Sequence, residues 1–373
     1  MAEKKERQRW GSKIGIILAV AGSAVGLGNF LRFPVQAAQN GGGAFMIPYF
    51  ISFLLLGIPL MWIEWTAGRF GGGFEHSTAP GIFNSMWQKN RFIKYFGVIG
   101  IFGPMVIFIY YTYIESWCLA YAVFSIIGKY KGCVGQVDMT NFLSAFQGLK
   151  SNQHFSGLWA AYLFFVITFV INVTVVYYGI KGGIERMCKI AMPILFIFAI
   201  LIMVRVLTLG APNLAKPTWN SLNGLGFLWN PDFSALKSAK VWLAAAGQMF
   251  FTLSVGIGVI LTYSSYLKKS DDVALSGLSA ASTNEFAEVI LGGSIIIPAA
   301  FAFFGPVGIV EVAKGGAFNL SFVTMPVILQ NLPWGALFGF LWFIMLFLAG
   351  VTSSISLAQP AIAFLEDEFN TNR

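Results

Sequence analysis

The chain has 373 residues, of which 57% are hydrophobic, 16% aromatic and only 11% charged. Soluble domains carry about 25% charged residues and disordered chains need low hydrophobicity, so both classes are excluded and a polytopic helical membrane protein is expected. The net charge of +8 does not point to nucleic acid, because the basic residues sit between apolar runs; the lipid bilayer is the expected partner.

The N-terminal stretch MAEKKERQRWGSK leads into an apolar run that continues to about residue 38. That run is too long for the core of a cleaved secretory signal, so it is taken as a retained first span. Eight apolar segments long enough to cross a bilayer follow one another, near 13–38, 42–68, 92–127, 158–180, 188–209, 241–266, 284–305 and 336–364. Helix is the default in lipid, and the period-two alternation of a barrel is absent. With the N-terminus in the cytoplasm, 15 of the 24 basic residues fall on cytoplasmic segments. The positive-inside rule therefore favours that orientation in the cell membrane. Residues 1–12 then form a cytoplasmic segment, 13–210 a first repeat of five spans, 211–240 an extracellular loop and 241–373 a partial second repeat of spans six to eight.

The repeat is marked by two similar tetrapeptides. Val25-Gly26-Leu27-Gly28 interrupts the first span and Val255-Gly256-Ile257-Gly258 the sixth. Close helix packing is the ordinary explanation for either motif alone. Two copies at matching depth instead predict an inverted-repeat transporter fold with broken spans one and six. Unwinding frees backbone groups that are costly in lipid unless something satisfies them. N–H groups at a half-helix start suit a carboxylate, and freed carbonyls suit a hard cation. The motifs lie 230 residues apart, and a second half of five spans would run past Arg373. The second repeat is therefore expected to be incomplete, with eight spans in the chain.

Polar residues at span depth narrow the chemistry. Arg32, Glu64, Glu115, Glu285 and Glu288 are charged groups that each require a partner. Interhelical ion pairing is the first expectation for Glu64 and Glu115, whereas Arg32, near the outer mouth of the first break, is assigned a gating role. Asn29, Thr252, Ser254, Asn284, Thr352 and Ser353 form an oxygen-rich set suited to a hard cation rather than to zinc or copper. Cys118, Cys133 and Cys188 make no disulfide framework or CxxC pair. His76 and His154 are too few and too distant for a histidine metal site. Without HExxH, GxSxG or a Ser/His pair at membrane depth, no enzyme and no organic cofactor are expected.

Six segments together resemble the neurotransmitter:sodium symporter family, closest to its bacterial leucine-transporting branch. They are AGSAVGLGNFLRFPVQAAQNGGGAF (21–45), GIPLMWIEW (57–65), YYTYIESW (110–117), GQMFFTLSVGIG (247–258), STNEFAEVILGGS (282–294) and AGVTSSISLAQPAIAFLEDE (349–368). The resemblance implies two sodium ions. The first would be held by the carbonyl of Ala24 and the side chains of Asn29, Thr252 and Asn284. The second would be held by carbonyls of Gly22, Val25 and Ala349 with the hydroxyls of Thr352 and Ser353. The substrate carboxylate would rest on Leu27, Gly28 and Tyr111, and its amino group on Ala24, Phe251, Thr252 and Ser254. Ile107, Phe251, Ile257, Ser353 and Leu357 would form the side-chain pocket.

Further implications concern selectivity and gating. Gly26 stands where monoamine transporters carry an acid, so an amino acid is implied, and the aliphatic pocket implies a neutral apolar one. Glu288 stands where chloride-dependent members carry a hydroxyl, which implies chloride-independent transport. Arg32 with Gln248 resembles the outer gate, and Arg7 with Asp367 the cytoplasmic pair. The expected function is sodium-coupled symport of a neutral amino acid by alternating access. A fragment or sensor that binds without transporting is the alternative, and pairing with a second copy stays open.

Overall fold

The computed structural model describes residues 8–89, 92–369 and 371, and those residues contain helices and connecting turns without a β-strand. Six helices are long and apolar enough to cross a membrane: α3 (Gly43–Gly72), α5 (Ile93–Ile127), α7 (Trp159–Tyr177), α8 (Ile180–Leu207), α12 (Val273–Lys314) and α14 (Gly335–Phe369). A further crossing is made by two helices, α1 (Lys13–Ala24) and α2 (Leu27–Gln39), which meet at 47°. The sixth expected segment is also divided, into α10 (Ala239–Thr252) and α11 (Val259–Ser265), each too short to cross alone. Shorter helices α4 (Ala79–Met86), α6 (Gln136–Phe146), α9 (Ser221–Trp229) and α13 (Gly316–Gln330) lie between the spans. All eight apolar segments thus occur as helices, six continuous and two interrupted.

Two boundaries differ from the sequence expectation for a physical reason. The fifth span begins at Ile180 rather than near 188, through the polar stretch Lys181–Arg186. Glu185 makes that possible by accepting hydrogen bonds from Gly11 N (2.6 Å), Ser12 Oγ (2.9 Å) and Lys189 Nζ (2.6 Å). The seventh begins at Val273, where the Asp272 side chain accepts from Leu275 N and caps the helix. Its first turns are rich in Ser, Thr and Asn and so escape a hydropathy reading. It bends at Gly305, whose φ of 74° breaks the helix before Pro306.

The long helix α14 packs along α5 and also meets α1, α7 and α8. Helix α1 lies between α14, α12 and α8, while α2 rests on the middle of α12. Helix α10 packs on the first half of α3 and α11 on the second. The first interrupted crossing is therefore enclosed by continuous helices, where freed backbone can be tolerated at membrane depth, whereas α10 and α11 lie against α3 with Leu243, Phe250 and Phe251 exposed.

Candidate functional site

Helix α1 stops at Ala24 because Gly26 adopts an extended conformation (φ −119°, ψ −165°) before α2 begins. The groups freed there find partners. Gly26 N donates to Asn29 Oδ1 at 2.9 Å, and Leu27 N donates to the Tyr111 hydroxyl at 2.9 Å. The second interruption is sharper. Ser254, Gly256 and Gly258 have φ of 54°, 85° and 88°, left-handed values that glycine adopts freely and serine rarely. The freed Gly256 N donates to the Glu64 carboxylate of α3. Glu64 and Glu115 make no ion pair with a cation among the described residues, contrary to the pairing expected of them. Glu115 Oε2 instead accepts from Asn172 Nδ2 at 3.1 Å.

A cavity of about 120 Å³ opens between the two interruptions. Ala24, Gly26, Gly28, Ile107, Tyr111, Phe251, Thr252, Ser254, Ile257, Ser353 and Leu357 all line it. Leu27 alone of the expected substrate residues is not in the lining, its N–H being taken up by Tyr111. Space at the floor depends on glycine, since a Cβ on Gly26 would lie 2.6 Å from Ser353 Oγ and 2.7 Å from the Tyr111 hydroxyl. Sequence reasoning missed Ser23 and Ser356, which line the cavity and share a hydrogen bond of 2.7 Å between their hydroxyls. Ser356 follows Ser353 by one helical turn, so facial spacing was the available signal.

Beside the cavity, Asn29, Thr252, Asn284 and Glu288 converge, all with 0–1% exposure. Asn29 Nδ2 lies 2.8 Å from Asn284 Oδ1, 3.1 Å from Glu288 Oε2 and 3.3 Å from Thr252 Oγ1. Asn284 Nδ2 donates to Thr252 Oγ1 at 2.9 Å, and Thr252 Oγ1 donates to Glu288. Asn284 and Glu288 are four residues apart and share one face of α12. The stretch Phe286–Gly293 is wound as a π-helix, a local widening common at functional sites. An amide carries only two hydrogens, so Asn29 cannot serve three acceptors at once. The oxygens of the cluster are each met by a neighbouring donor, and an all-oxygen set of this kind is suited to a hard cation.

The second expected cation set also meets. A Cβ on Gly22 would lie 3.2 Å from Thr352 Cβ, and Ser353 Oγ donates to the carbonyls of Gly22 (3.3 Å) and Ser23 (3.1 Å). Thr352 Oγ1 donates to Leu348 O and Ala349 O at 3.1 Å each, the usual habit of a hydroxyl in a membrane helix. Val25 is fully buried at the end of α1.

On the other side of Phe251, Arg32 donates to Gln248, which donates in turn to Glu288. The Arg32 guanidinium carbon sits 4.5 Å from the centre of the Phe251 ring, within cation–π range. Of the expected cytoplasmic pair, Arg7 lies outside the described residues. Asp367 accepts from Ser77 N at 2.7 Å and from Ser77 Oγ at 3.3 Å, which ties the end of α14 to the turn before α4.

The model of the sodium:neurotransmitter symporter family matches residues 7–144 and 136–373. The uncharacterised sodium-dependent transporter MJ1319 of Methanocaldococcus jannaschii is 33% identical over 99% of this chain and 71% of its own length. The uncharacterised sodium-dependent transporter YhdH of Bacillus subtilis is 34% identical over 97% of this chain and 73% of its own length. Among solved structures, MhsT in complex with L-phenylalanine superposes with a TM-score of 0.80 at 33% identity, covering 98% of this chain and 76% of that one. On these matches the chain belongs to the sodium:neurotransmitter symporter family, whose members are membrane transporters, and is a sodium-dependent one.

Proposed function

We propose that this protein carries a neutral, apolar amino acid into the cell together with two sodium ions, without chloride. The observation that carries the reading is the convergence of Asn29, Thr252, Asn284 and Glu288 against the cavity between the two interrupted spans. Sodium would take its first set of ligands from Ala24, Asn29, Thr252 and Asn284. The second would come from Gly22, Val25, Ala349, Thr352 and Ser353. The substrate carboxylate would lie at the start of α2, near the Tyr111 hydroxyl, where the half-helix dipole favours a negative charge. Its side chain would meet Ile107, Ile257 and Leu357.

Glu288 supplies a fixed negative charge next to the first cation set, which removes the need for a chloride ion there. Arg32, Gln248 and Phe251 would close the outer entrance, and Asp367 with Arg7 the inner one. In this reading the N-terminus is cytoplasmic, residues 13–210 and 241–373 belong to two inverted halves, and α1, α2, α10 and α11 rock against the longer helices. The cavity of about 120 Å³ is close to the ~150 Å³ that accepts benzene in an engineered apolar site. Leucine, valine, alanine, methionine and phenylalanine are therefore the substrates to compare.

The test is uptake of radiolabelled amino acids into proteoliposomes. An inward sodium gradient should drive accumulation and an equal potassium gradient should not, with chloride and gluconate giving equal rates. Equal uptake in sodium and potassium would overturn the coupling. A requirement for chloride would overturn the role of Glu288.

A further inference from the structure

One side of the cavity between the interrupted spans is made of hydroxyls. Ser23, in the last turn of α1, lines it together with Ser353 and Ser356, which lie one turn apart on α14. Ser23 is 6% exposed and Ser356 1%, so both are nearly withdrawn from solvent. Each hydroxyl has one hydrogen to donate and two lone pairs to accept with. The Ser353 hydrogen goes to the carbonyl of Ser23 (3.1 Å) or of Gly22 (3.3 Å). The Ser356 hydrogen goes to the carbonyl of Ser353 at 2.6 Å. The 2.7 Å contact between Ser23 Oγ and Ser356 Oγ then uses the Ser23 hydrogen, because Ser356 has none to spare. All three hydrogens are spent inside the wall. No donor among the described residues meets Ser23 Oγ, so its lone pairs remain open. This corner can accept a hydrogen bond and cannot give one.

We infer, on the reading of the cavity as an amino-acid site, that this corner receives the side-chain hydroxyl of a small neutral amino acid. Threonine and serine are then substrates alongside the apolar ones. Threonine is valine with one methyl replaced by a hydroxyl, so a cavity of about 120 Å³ fits the two alike. Were the pocket apolar throughout, as Ile107, Ile257 and Leu357 make the rest of it, the buried hydroxyl would go unmet. Such pockets prefer valine to threonine by roughly 100-fold. An acceptor at Ser23 Oγ removes that penalty. Asparagine and glutamine also bring a donor, but their amide oxygen would meet no hydrogen in a wall whose hydrogens are all spent.

The competing account is a purely structural bond that ties α1 to α14, in a pocket that treats every side chain as apolar. Competition of unlabelled threonine and valine against radiolabelled valine, on the purified full chain in saturating sodium, separates the two. A valine-to-threonine affinity ratio below about ten is expected, against roughly 100 for an apolar pocket. Ser23→Ala should raise that ratio about fivefold, the worth of one hydrogen bond. Ser356→Ala, which takes away the partner that orients the Ser23 hydroxyl, should raise it as well. Both affinities are read on the same sample, so a partial loss of folded protein leaves the ratio intact. A wild-type ratio above about ten, or a ratio unchanged in both variants, would overturn the inference while the amino-acid site stands. Sodium-dependent binding of neither ligand would overturn both.

Discussion

Glu288 is fully buried and receives hydrogen bonds from Asn29, Gln248 and Thr252. Gln248 and Thr252 both aim hydrogens at this carboxyl group, and the proposed function gives it the negative charge beside the first cation set. Replacing it by a hydroxyl removes that charge while leaving the donors in place. Glu288→Ser should therefore make uptake depend on chloride, seen as a rate that rises severalfold from gluconate to chloride buffer; an unchanged salt profile would sink the idea. Gly26 tests the cavity independently. A Cβ there would press on Ser353 Oγ and the Tyr111 hydroxyl, two groups on the cavity wall, and overpacking costs about 1–3 kcal/mol. Gly26→Ala should weaken amino-acid binding by about fivefold or more, since each 1.4 kcal/mol is a factor of ten. A scintillation-proximity binding assay in saturating sodium measures this directly.

At the scale of elements, the break between α10 and α11 depends on a residue from another helix. Gly256 N is freed by the break and is taken up by Glu64 from α3. An intramolecular hydrogen bond contributes about 0.5–1.5 kcal/mol, so Glu64→Ala should lower the melting temperature and the transport rate together. Gly256 also holds φ 85°; an alanine in that left-handed region costs about 1–2 kcal/mol, and Gly256→Ala should behave similarly. A melting temperature equal to wild type in both variants would refute the assignment. The glycines made this break legible in the sequence, and so were the apolar runs, because lipid demands about 20 apolar residues per crossing. The first turns of α12 were not legible, since they rest on the Asp272 cap and on local bonds such as Thr283 Oγ1 to Ser279 O, which a hydropathy reading cannot see. Glu64 was visible as a buried acid, but its partner is a backbone N–H 192 residues away. The hydroxyl pair Ser23–Ser356 spans 333 residues and exists only once α1 lies against α14.

For the molecule as a whole, the two candidate cation sets make an energetic statement. One sodium ion entering across 100 mV gains about 2.3 kcal/mol, and a tenfold concentration gradient adds about 1.4 kcal/mol. A single coupled ion thus supplies about 3.7 kcal/mol, enough to concentrate a neutral zwitterion roughly 500-fold. Two ions supply about 7.4 kcal/mol, enough for roughly 10⁵-fold. The sets belong to different helix pairs, Asn29 with Thr252 and Asn284 on one side and Gly22 with Thr352 and Ser353 on the other. Each bridges an interrupted helix to a continuous one, so each ion would clamp the moving elements to the longer helices. Coupled movement of both predicts that initial uptake rises with sodium concentration with a Hill coefficient above one. Thr352→Ala removes one hydroxyl from the second set without touching the cavity lining. It should raise the sodium concentration for half-maximal uptake severalfold and bring the Hill coefficient towards one, while amino-acid affinity at saturating sodium stays within about twofold. Uptake by Thr352→Ala with the wild-type sodium dependence would mean that the second set does not carry an ion, and the accumulation limit would then be the single-ion value.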